Sequence, residues 1–176
     1  MPQDLARLST SAGRLRGAFA LVTLLLAGCG GGGGAPPAAG SSVVSPGLAV
    51  AIYQQANEAR WDAGLDPLRW HDRAAGVAVT HAQGMRIRRA LVHADAEGRD
   101  AGQRLEAAGI RPLAWGENLA HGSGDPAAIV AGWLASPTHR ANLLEPRFTH
   151  MAVGTAGGGT DVWSTQVFLT LPENLP

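Results

Sequence analysis

The segment formed by residues 115–144, which reads WGENLAHGSGDPAAIVAGWLASPTHRANLL, constrains this chain more than any other feature. Within it, Glu117 lies in an extended stretch beside a tryptophan and Leu119, so its carboxylate enters a partly apolar neighbourhood. An ionised carboxylate there is costly unless it meets a metal, a cation or backbone donors. His139 follows in a short turn after a helix. We therefore predict a fold that holds Glu117 and His139 beside a third group, His93.

The N-terminus has the pattern of a cleaved secretory leader. Three arginines, Arg7, Arg14 and Arg16, precede an apolar run over residues 18–27. A run of about 10 residues is half of the ~20 needed to span a bilayer, which favours a leader over a transmembrane anchor. The sequence LLAGC at its end resembles the bacterial lipobox, in which cleavage precedes the cysteine and lipid is added to it. We therefore predict a lipoprotein that is lipidated at Cys29 and bound to a membrane through that lipid.

Composition limits the function further. Cys29 is the only cysteine among 176 residues, so no disulfide can form within the chain, and its position after the leader argues against a catalytic or metal-ligating thiol. The formal net charge is zero, and removal of the leader leaves 11 arginines against 13 acidic residues. Because this balance gives no attraction for a polyanion, we expect no nucleic-acid binding. The length predicts one compact domain, which we expect to be a monomer.

The chain divides into four segments. Residues 1–28 form the predicted leader, and residues 29–47 form a tether rich in Gly, Ala, Pro and Ser, which has too few large apolar groups to order itself. Residues 48–170 form the predicted folded domain, and residues 171–176 a C-terminal tail. The tether would let the domain move away from the membrane surface.

Apolar periodicity predicts helices in the first part of the domain and a β-hairpin at its end. Asp125 and Pro126 form an N-cap and first-turn pair for a further helix, after which Ser136 can cap the short turn that carries His139. The second hairpin strand carries apolar residues on both faces, so helices are expected on both sides of the sheet. The predicted helices include residues 48–63, 70–85 and 100–109, and the hairpin strands cover residues 150–156 and 162–170.

The remaining histidines have simpler interpretations. His81 lies on the apolar stripe of the second predicted helix, which is typical of a buried histidine satisfied by hydrogen bonds. His121 is a candidate for the rim of the site, whereas His71 and His150 are predicted to lie outside it.

Five pieces of the sequence resemble a known family. They are LVHADAEG, GENLAHG, IVAGWLASPTHRANLL, FTHMAVGTA and WSTQVF, in this order, and a NEAR element at residues 57–60 precedes them. Together they span residues 48–169 and resemble the bacterial branch of the CAP superfamily of SCP-like extracellular domains, named for cysteine-rich secretory, antigen 5 and pathogenesis-related proteins. The resemblance implies an α+β fold, an α-β-α sandwich with a small antiparallel sheet between helical layers.

The same resemblance implies a central cavity with two histidines and two glutamates, where a divalent metal is often held. By motif, His93 matches the first family histidine and Glu117 matches the glutamate of the Gly-Glu-Asn element. The other two positions depart from the pattern, since Ser136 stands in place of the second glutamate and Trp163 in place of the strand histidine. His139, from a different element, could supply the missing imidazole.

We therefore predict a site built from His93, Glu117 and His139. Two histidines and one carboxylate suit zinc or a similar divalent ion with one open position, which could activate water or hold a ligand. Asn118 and Arg140 are predicted to line the ligand site and to orient its central groups. In the alternative, the three side chains form hydrogen bonds that join loops without any metal.

Three functions fit this sequence. The first, which we favour, is a non-enzymatic domain that is lipid-anchored in the bacterial cell envelope, at its periplasmic or outer face, or secreted. It would bind a small or lipid-like ligand, or a protein partner, in a cleft lined by His93, Glu117 and His139. The second is a metal-dependent hydrolase of envelope or extracellular material with Glu117 as general base. The third is a structural envelope protein with a vestigial site. Covalent catalysis is disfavoured, because no Ser-His-Asp or Cys-His pattern has a supporting local signature.

Overall fold

The computed structural model describes residues 46–172. The predicted leader, the predicted lipidation site Cys29, most of the tether and the end of the tail lie outside these residues. Within residues 46–172, no helix is long and apolar enough to cross a membrane. The elements in chain order are α1 (Pro46–Asp62), β1 (Arg69–Trp70), α2 (Asp72–Arg88), α3 (Ala101–Ala107), β2 (Ala114–Gly122), α4 (Pro126–Ala135), α5 (Pro137–Leu143), β3 (His150–Gly158) and β4 (Asp161–Thr170).

The sheet has four strands in the order β1-β3-β4-β2. β3 and β4 form a hairpin, and β2 pairs antiparallel with the other edge of β4. This arrangement confirms the predicted antiparallel sheet and its hairpin. β1 adds one short parallel pair on the outer edge of β3, through Arg69 and Trp70. The sheet is therefore mixed, and Trp70 lies in a strand rather than at the start of the second helix.

Helices cover both faces of the sheet, which confirms the predicted α-β-α sandwich. α1, α4 and α5 pack on one face around a core that includes Ile52, Trp133 and Phe168. α2 and α3 pack on the other face around Leu105 and Val167. Consecutive strand residues point to opposite faces, so each long strand contributes to both cores.

The helix α2 lies very close to the sheet where it crosses β3. A Cβ atom at Gly154 would lie 2.1 Å from the backbone nitrogen of Val79 and 2.3 Å from the carbonyl carbon of Ala78. Both atoms belong to the helix backbone, so neither can move without the whole helix. Glycine at position 154 therefore sets the distance between α2 and the sheet, and with it the position of the loop that follows α2.

Side-chain caps fix where the helices begin. The predicted N-cap Asp125 accepts a hydrogen bond from a backbone N–H in the first turn of α4, at 3.0 Å. Ser136 stands at the N-cap position of α5 but makes no side-chain capping bond. The second helix begins at Asp72 rather than near residue 70, because Nδ1 of His71 accepts the backbone N–H of Ala74 and caps the helix there.

Candidate functional site

Glu117 lies in the middle of β2, on the face that α2 and α3 cover. The register places it opposite Val167 of β4, which belongs to the core under α2. Its side chain is only 2% exposed. A carboxylate at this depth needs partners for both of its oxygens, because burial without them is costly. The structure supplies one partner for each oxygen.

The first partner is His93. It lies in the loop after α2, and its ring nitrogen Nδ1 is 2.8 Å from Oε1 of Glu117. The imidazole is 30% exposed and separates the buried carboxylate from solvent. Since Nδ1 faces the carboxylate, the opposite ring nitrogen, Nε2, points away from it. A carboxylate on Nδ1 fixes the orientation of the ring and leaves Nε2 to contact a ligand.

The second partner is Arg104 of α3. Its Nη2 donates to Oε2 of Glu117, and its side chain is 6% exposed. The other terminal nitrogen, Nη1, donates to the backbone carbonyls of His93, at 2.6 Å, and of Arg99, at 2.9 Å. Arg104 thus joins α3, β2 and the loop between α2 and α3. We call His93, Arg104 and Glu117 the Glu117 cluster.

The sequence gives only a weak signal for Arg104. Arginine in a short helix is usually exposed. Here Arg104 stands three residues after the buried Ala101 and next to the buried Leu105, which places it on the apolar stripe of α3. The position of this arginine on an apolar stripe is the one local sign that its guanidinium binds a buried carboxylate.

His139 lies on the opposite side of the sheet from Glu117. It belongs to α5, and its backbone carbonyl accepts a hydrogen bond from Nδ2 of Asn118, at 3.1 Å. Asn118 follows Glu117 in β2, so its side chain points to the other face. The sheet therefore divides the predicted set of His93, Glu117 and His139, and His139 is buried in the α5 layer.

Asn118 and Arg140, the other predicted ligand residues, also belong to the α5 side. Nδ2 of Asn118 donates to Oε1 of Gln166 at 3.1 Å, and its Oδ1 accepts from Nδ2 of Asn142 at 3.0 Å. Asn142 also donates to the backbone carbonyl of Glu117. Arg140 is exposed on α5. The amide contacts hold β2 against α5, on the side away from the carboxylate.

The residues around Glu117 do not fit a divalent metal. Among residues 46–172, no three His, Cys, Asp or Glu side chains are grouped so that they could hold an ion. In addition, Oε2 of Glu117 is held by a guanidinium, whose positive charge repels a divalent cation. The structure does not bring His93, Glu117 and His139 together as the ligands of one zinc ion, and we assign no chemical step to a metal.

A groove with a volume of about 680 Å³ runs along α2 beside the Glu117 cluster. One wall is a single face of α2, and the other consists of residues 95–99 and part of α3. Arg73 and Arg88 stand at its two ends. We call it the α2 groove. Between these ends its lining includes Gly76, Val77, His81, Gly84 and Ile87 of α2, and Arg104 of α3.

His81 forms part of the groove wall and is almost completely buried, as its place on an apolar stripe predicts. Its Nε2 lies 3.0 Å from the backbone carbonyl of Val92. In the neutral ring this geometry puts the proton on Nε2, which donates to the carbonyl. Burial lowers the pKa of His81, although the nearby carboxylate of Glu117 raises it. The folded protein therefore favours the neutral ring.

Two glycines open the groove along α2. A Cβ atom added at Gly76 or Gly84 would meet no atom within 4 Å. Glycine inside a helix costs roughly 1 kcal/mol relative to alanine, so two of them on one side of α2 indicate a use for the space. This repeat within a helix is the signal in the sequence that marks the groove.

His121, the predicted rim residue, belongs to a second carboxylate cluster. Its Nε2 lies 2.9 Å from Oδ1 of Asp161, at the start of β4, and its ring stacks on Trp163 with centroids 3.8 Å apart. Nε1 of Trp163 and Nη1 of Arg89 also donate to Asp161, at 3.0 and 2.9 Å. The hydrogen bond from His121, with those from Arg89 and Trp163, lowers the pKa of Asp161 to about 2. We call these four residues the Asp161 cluster.

Comparison with known proteins identifies a family model and a relative. The model described as Cysteine-rich secretory protein family (CAP) matches residues 53–168. An uncharacterized protein of Bacillus subtilis (strain 168), YkwD, is 30% identical over 115 residues, which are 65% of this chain and 44% of that protein. This chain therefore spans less than half the length of that relative.

Two solved structures are also similar. An extracellular protein containing a SCP domain from Bacillus anthracis str. Ames has 30% sequence identity and a TM-score of 0.64, with 73% of this chain and 45% of that chain covered. An outer surface protein from Borrelia burgdorferi has 20% identity and a TM-score of 0.68, with 75% of this chain and 99% of that chain covered. At 20% identity the second similarity shows the fold alone.

Proposed function

The chain belongs to the cysteine-rich secretory protein (CAP) family, and we propose that it is an extracellular domain that binds a small amphiphilic ligand in the α2 groove. Such a ligand has an elongated apolar part and an anionic end. The observation that carries this proposal is the groove itself, whose largely apolar wall along α2 has an arginine at each end and passes beside the Glu117 cluster.

The size of the α2 groove supports a small ligand. Its volume of about 680 Å³ lies within the range of roughly 300–1,000 Å³ that is usual for ligand pockets. Between Arg73 and Arg88, α2 rises by roughly 22 Å, at 1.5 Å per residue. An apolar chain of that length or less can lie along this wall, where a Cβ atom at Gly76 or Gly84 would meet no atom within 4 Å.

The arginines at the groove ends support an anionic group. Arg73 donates to the backbone carbonyl of Gly109, and Arg88 donates to those of Gly84 and Ala94. Neither forms an ion pair with a carboxylate of residues 46–172. The two acidic residues of the lining are themselves paired with an arginine. Neutral acceptors thus hold both end arginines in place, and their charge is available to a carboxylate or phosphate.

A fluorescent fatty-acid analogue tests this proposal. We expect dansyl-undecanoate, whose emission rises in apolar surroundings, to bind the purified protein with one probe per chain. Gly84→Leu places a side chain in the groove, where no atom lies within 4 Å, so it should fold normally and weaken probe binding. We expect the loss to be at least about tenfold in Kd. Gly47→Leu is the matched control, because Gly47 has the same open space but lies in α1, away from the groove.

The end arginines give the test a second arm. Arg88→Gln should weaken the binding of dansyl-undecanoate but leave the binding of an uncharged amide of the same chain length unchanged. Only the first ligand has a carboxylate that can pair with Arg88. Equal binding by wild type, Gly84→Leu and Gly47→Leu would contradict the groove as the site. No binding by any of them would contradict the ligand class.

We also propose that the domain works in the bacterial cell envelope, tethered through lipid on Cys29. The Bacillus anthracis and Borrelia burgdorferi proteins of similar fold are described as extracellular and outer surface proteins, and the LLAGC sequence supports a lipid anchor. Stable anchoring needs more than one acyl chain, which lipoprotein modification would supply. Cys29→Ser should move the protein from the membrane fraction to the soluble fraction. Unchanged membrane association of this variant would contradict the anchor.

The geometry gives less support to the two other functions. A metal-dependent hydrolase with Glu117 as general base needs an accessible carboxylate oxygen, and both oxygens have partners within the Glu117 cluster. A purely structural role gives no reason for two glycines to keep a groove open at a cost to the helix. Ligand binding therefore remains the function that the site supports best.

A further inference from the structure

We propose that Arg104 is the built-in cation of the Glu117 cluster, so that the domain folds and holds His93 in position without metal. Arg104 is thus a positioning residue, which acts on His93 through Glu117. This proposal concerns the architecture of the site and does not depend on ligand binding in the α2 groove.

The charge balance of the buried site supports this role. The side chains of Glu117 and Arg104 are both almost completely buried. An isolated carboxylate at this depth would either take up a proton or recruit a cation, because its ionised form has lost its hydration. Arg104 supplies the single positive charge that the carboxylate needs, and its guanidinium stays charged at any pH that the folded protein meets.

The loop before α3 holds Arg104 in place. Its Nη1 donates to the backbone carbonyls of His93 and Arg99. The carboxylate of Asp95 orders the same loop, since it accepts the backbone N–H groups of Glu97 and Arg99. Arg104 therefore contacts the backbone of His93 directly and fixes the carboxylate that orients its ring. Both contacts set where Nε2 of His93 points.

The remaining nitrogen of Arg104 adds a cost that the contact with Glu117 must offset. Its Nε is buried and has no hydrogen-bond partner within the described part of the chain. An unpaired buried N–H is costly, so the gain from bringing a guanidinium to Glu117 must outweigh that cost. A neutral hydrogen-bond donor at this position would not provide the same gain.

A divalent ion would have to displace contacts that the cluster already makes. Oε1 of Glu117 faces Nδ1 of His93 at 2.8 Å, and Oε2 receives Nη2 of Arg104. To bind an ion through Nδ1, His93 would have to give up Glu117. The ion would then lie close to a guanidinium in a buried site, where like charges repel strongly. The cluster as built therefore leaves no place for an ion between Nδ1 of His93 and the carboxylate of Glu117.

Zinc titration of the purified protein tests this proposal. By isothermal titration calorimetry we expect no stoichiometric zinc binding that depends on Glu117, and we expect the same melting temperature in excess EDTA and in excess zinc chloride. Arg104→Met removes the cation but keeps most of the side-chain volume, and it should lower the melting temperature by roughly 10–20 °C. Arg89→Met is the matched control, because it removes an exposed arginine from Asp161 and should lower the melting temperature by only a few degrees.

Two results obtained with folded proteins would overturn the proposal. One is zinc binding by the wild-type protein that Glu117→Gln abolishes, and the other is equal destabilisation by Arg104→Met and Arg89→Met. If Arg104→Met does not fold, Arg104→Lys decides, because the proposal requires that the retained charge restores folding. Failure of both variants to fold would assign Arg104 a purely geometric role, against the proposal.

Discussion

The Glu117 cluster and the Asp161 cluster have the same kinds of partners but different surroundings. Both lie next to α2, and each combines a carboxylate with one histidine and one arginine. The side chains of Glu117 and Arg104 are 2% and 6% exposed, whereas those of Asp161 and Arg89 are 41% and 65% exposed. One ion pair is therefore part of the interior, and the other is a surface contact.

This difference indicates that burial, more than the identity of the partners, determines what each ion pair does. An exposed pair exchanges its contacts with water and salt, and typically contributes about 0–1 kcal/mol to stability. Loss of one partner from a buried pair leaves an uncompensated charge and costs about 3–5 kcal/mol. We therefore expect the Glu117 cluster to be required for the fold. The Asp161 cluster joins the end of α2 to the hairpin and should contribute little to the free energy of unfolding.

The largest effect should come from moving α2, on which both clusters depend. Gly154→Ala places a Cβ atom 2.1 Å from the helix backbone at Val79, so α2 must shift away from the sheet. We expect a loss of at least about 3 kcal/mol in the free energy of unfolding, or failure to fold. Gly158→Ala is the control, since a Cβ atom there has open space in the same strand. Urea unfolding measures both variants, and similar losses would contradict this packing.

Neutralising each carboxylate in turn separates the two clusters directly. Glu117→Gln leaves Arg104 buried without a negative charge and should reduce the free energy of unfolding by about 3 kcal/mol. Asp161→Asn leaves an exposed arginine in water and should reduce it by less than about 1 kcal/mol. Urea unfolding at neutral pH compares the two variants. Equal losses would show that burial does not distinguish the clusters.

Acid should act beside the Glu117 cluster and on the Asp161 cluster in different pH ranges. Burial lowers the pKa of His81, which lies near Glu117 and Arg104, below its ordinary value of 6.5. Since the unfolded chain takes up this proton at a higher pH than the folded chain, stability should be fully present above pH 6.5 and should decrease below it. Hydrogen bonds, first that from His121, lower the pKa of Asp161 from 3.8 to about 2. The contribution of Asp161 should therefore persist until the pH falls below 3.8 and be lost toward pH 2.

The free energy of unfolding in urea, measured between about pH 7.5 and about pH 5, tests the first of these effects. One group contributes at most about 1.4 kcal/mol per pH unit. His81→Gln should remove much of the decrease with acid, whereas His121→Gln should leave it in place. An unchanged decrease in His81→Gln would contradict the assignment to His81.

The sandwich and two of the three residues of the Glu117 cluster follow from the sequence for identifiable reasons. The second hairpin strand carries apolar residues on both faces, so a sheet between two helical layers is expected. Glu117 is predicted from an extended segment with apolar neighbours, and His93 from its match to the first histidine of the family motif. The structure brings these two side chains into contact.

The position of His139 relative to Glu117 could not be predicted, because it depends on which face of the sheet each residue of β2 points to. Glu117 and Asn118 are adjacent in β2 and face opposite layers. α5 contacts Asn118 through the carbonyl of His139 and through Asn142. Nothing in the sequence shows which face so short a helix covers. The strand β1 could not be predicted from the sequence either, since its two residues are too few to show the alternation of apolar and polar side chains that marks a strand.

Arg104 could not be predicted for a different reason. Its partner Glu117 lies 13 residues along the chain, in a separate element. An arginine beside a buried leucine commonly packs its stem on the protein and leaves its charge in water. Only the packing of α3 against β2 turns this guanidinium inward, and that packing is a tertiary property.

A double-mutant cycle of Arg104→Met and Glu117→Gln, followed by urea unfolding in EDTA, tests most directly whether a buried ion pair rather than a metal holds this site. We expect a coupling free energy of about 2–3 kcal/mol that added salt hardly changes. The matching cycle of Arg89→Met and Asp161→Asn should give less than about 1 kcal/mol and should decrease with salt. A coupling between Arg104 and Glu117 that is no larger than that of the exposed pair, or that disappears without zinc, would contradict the central role of Arg104.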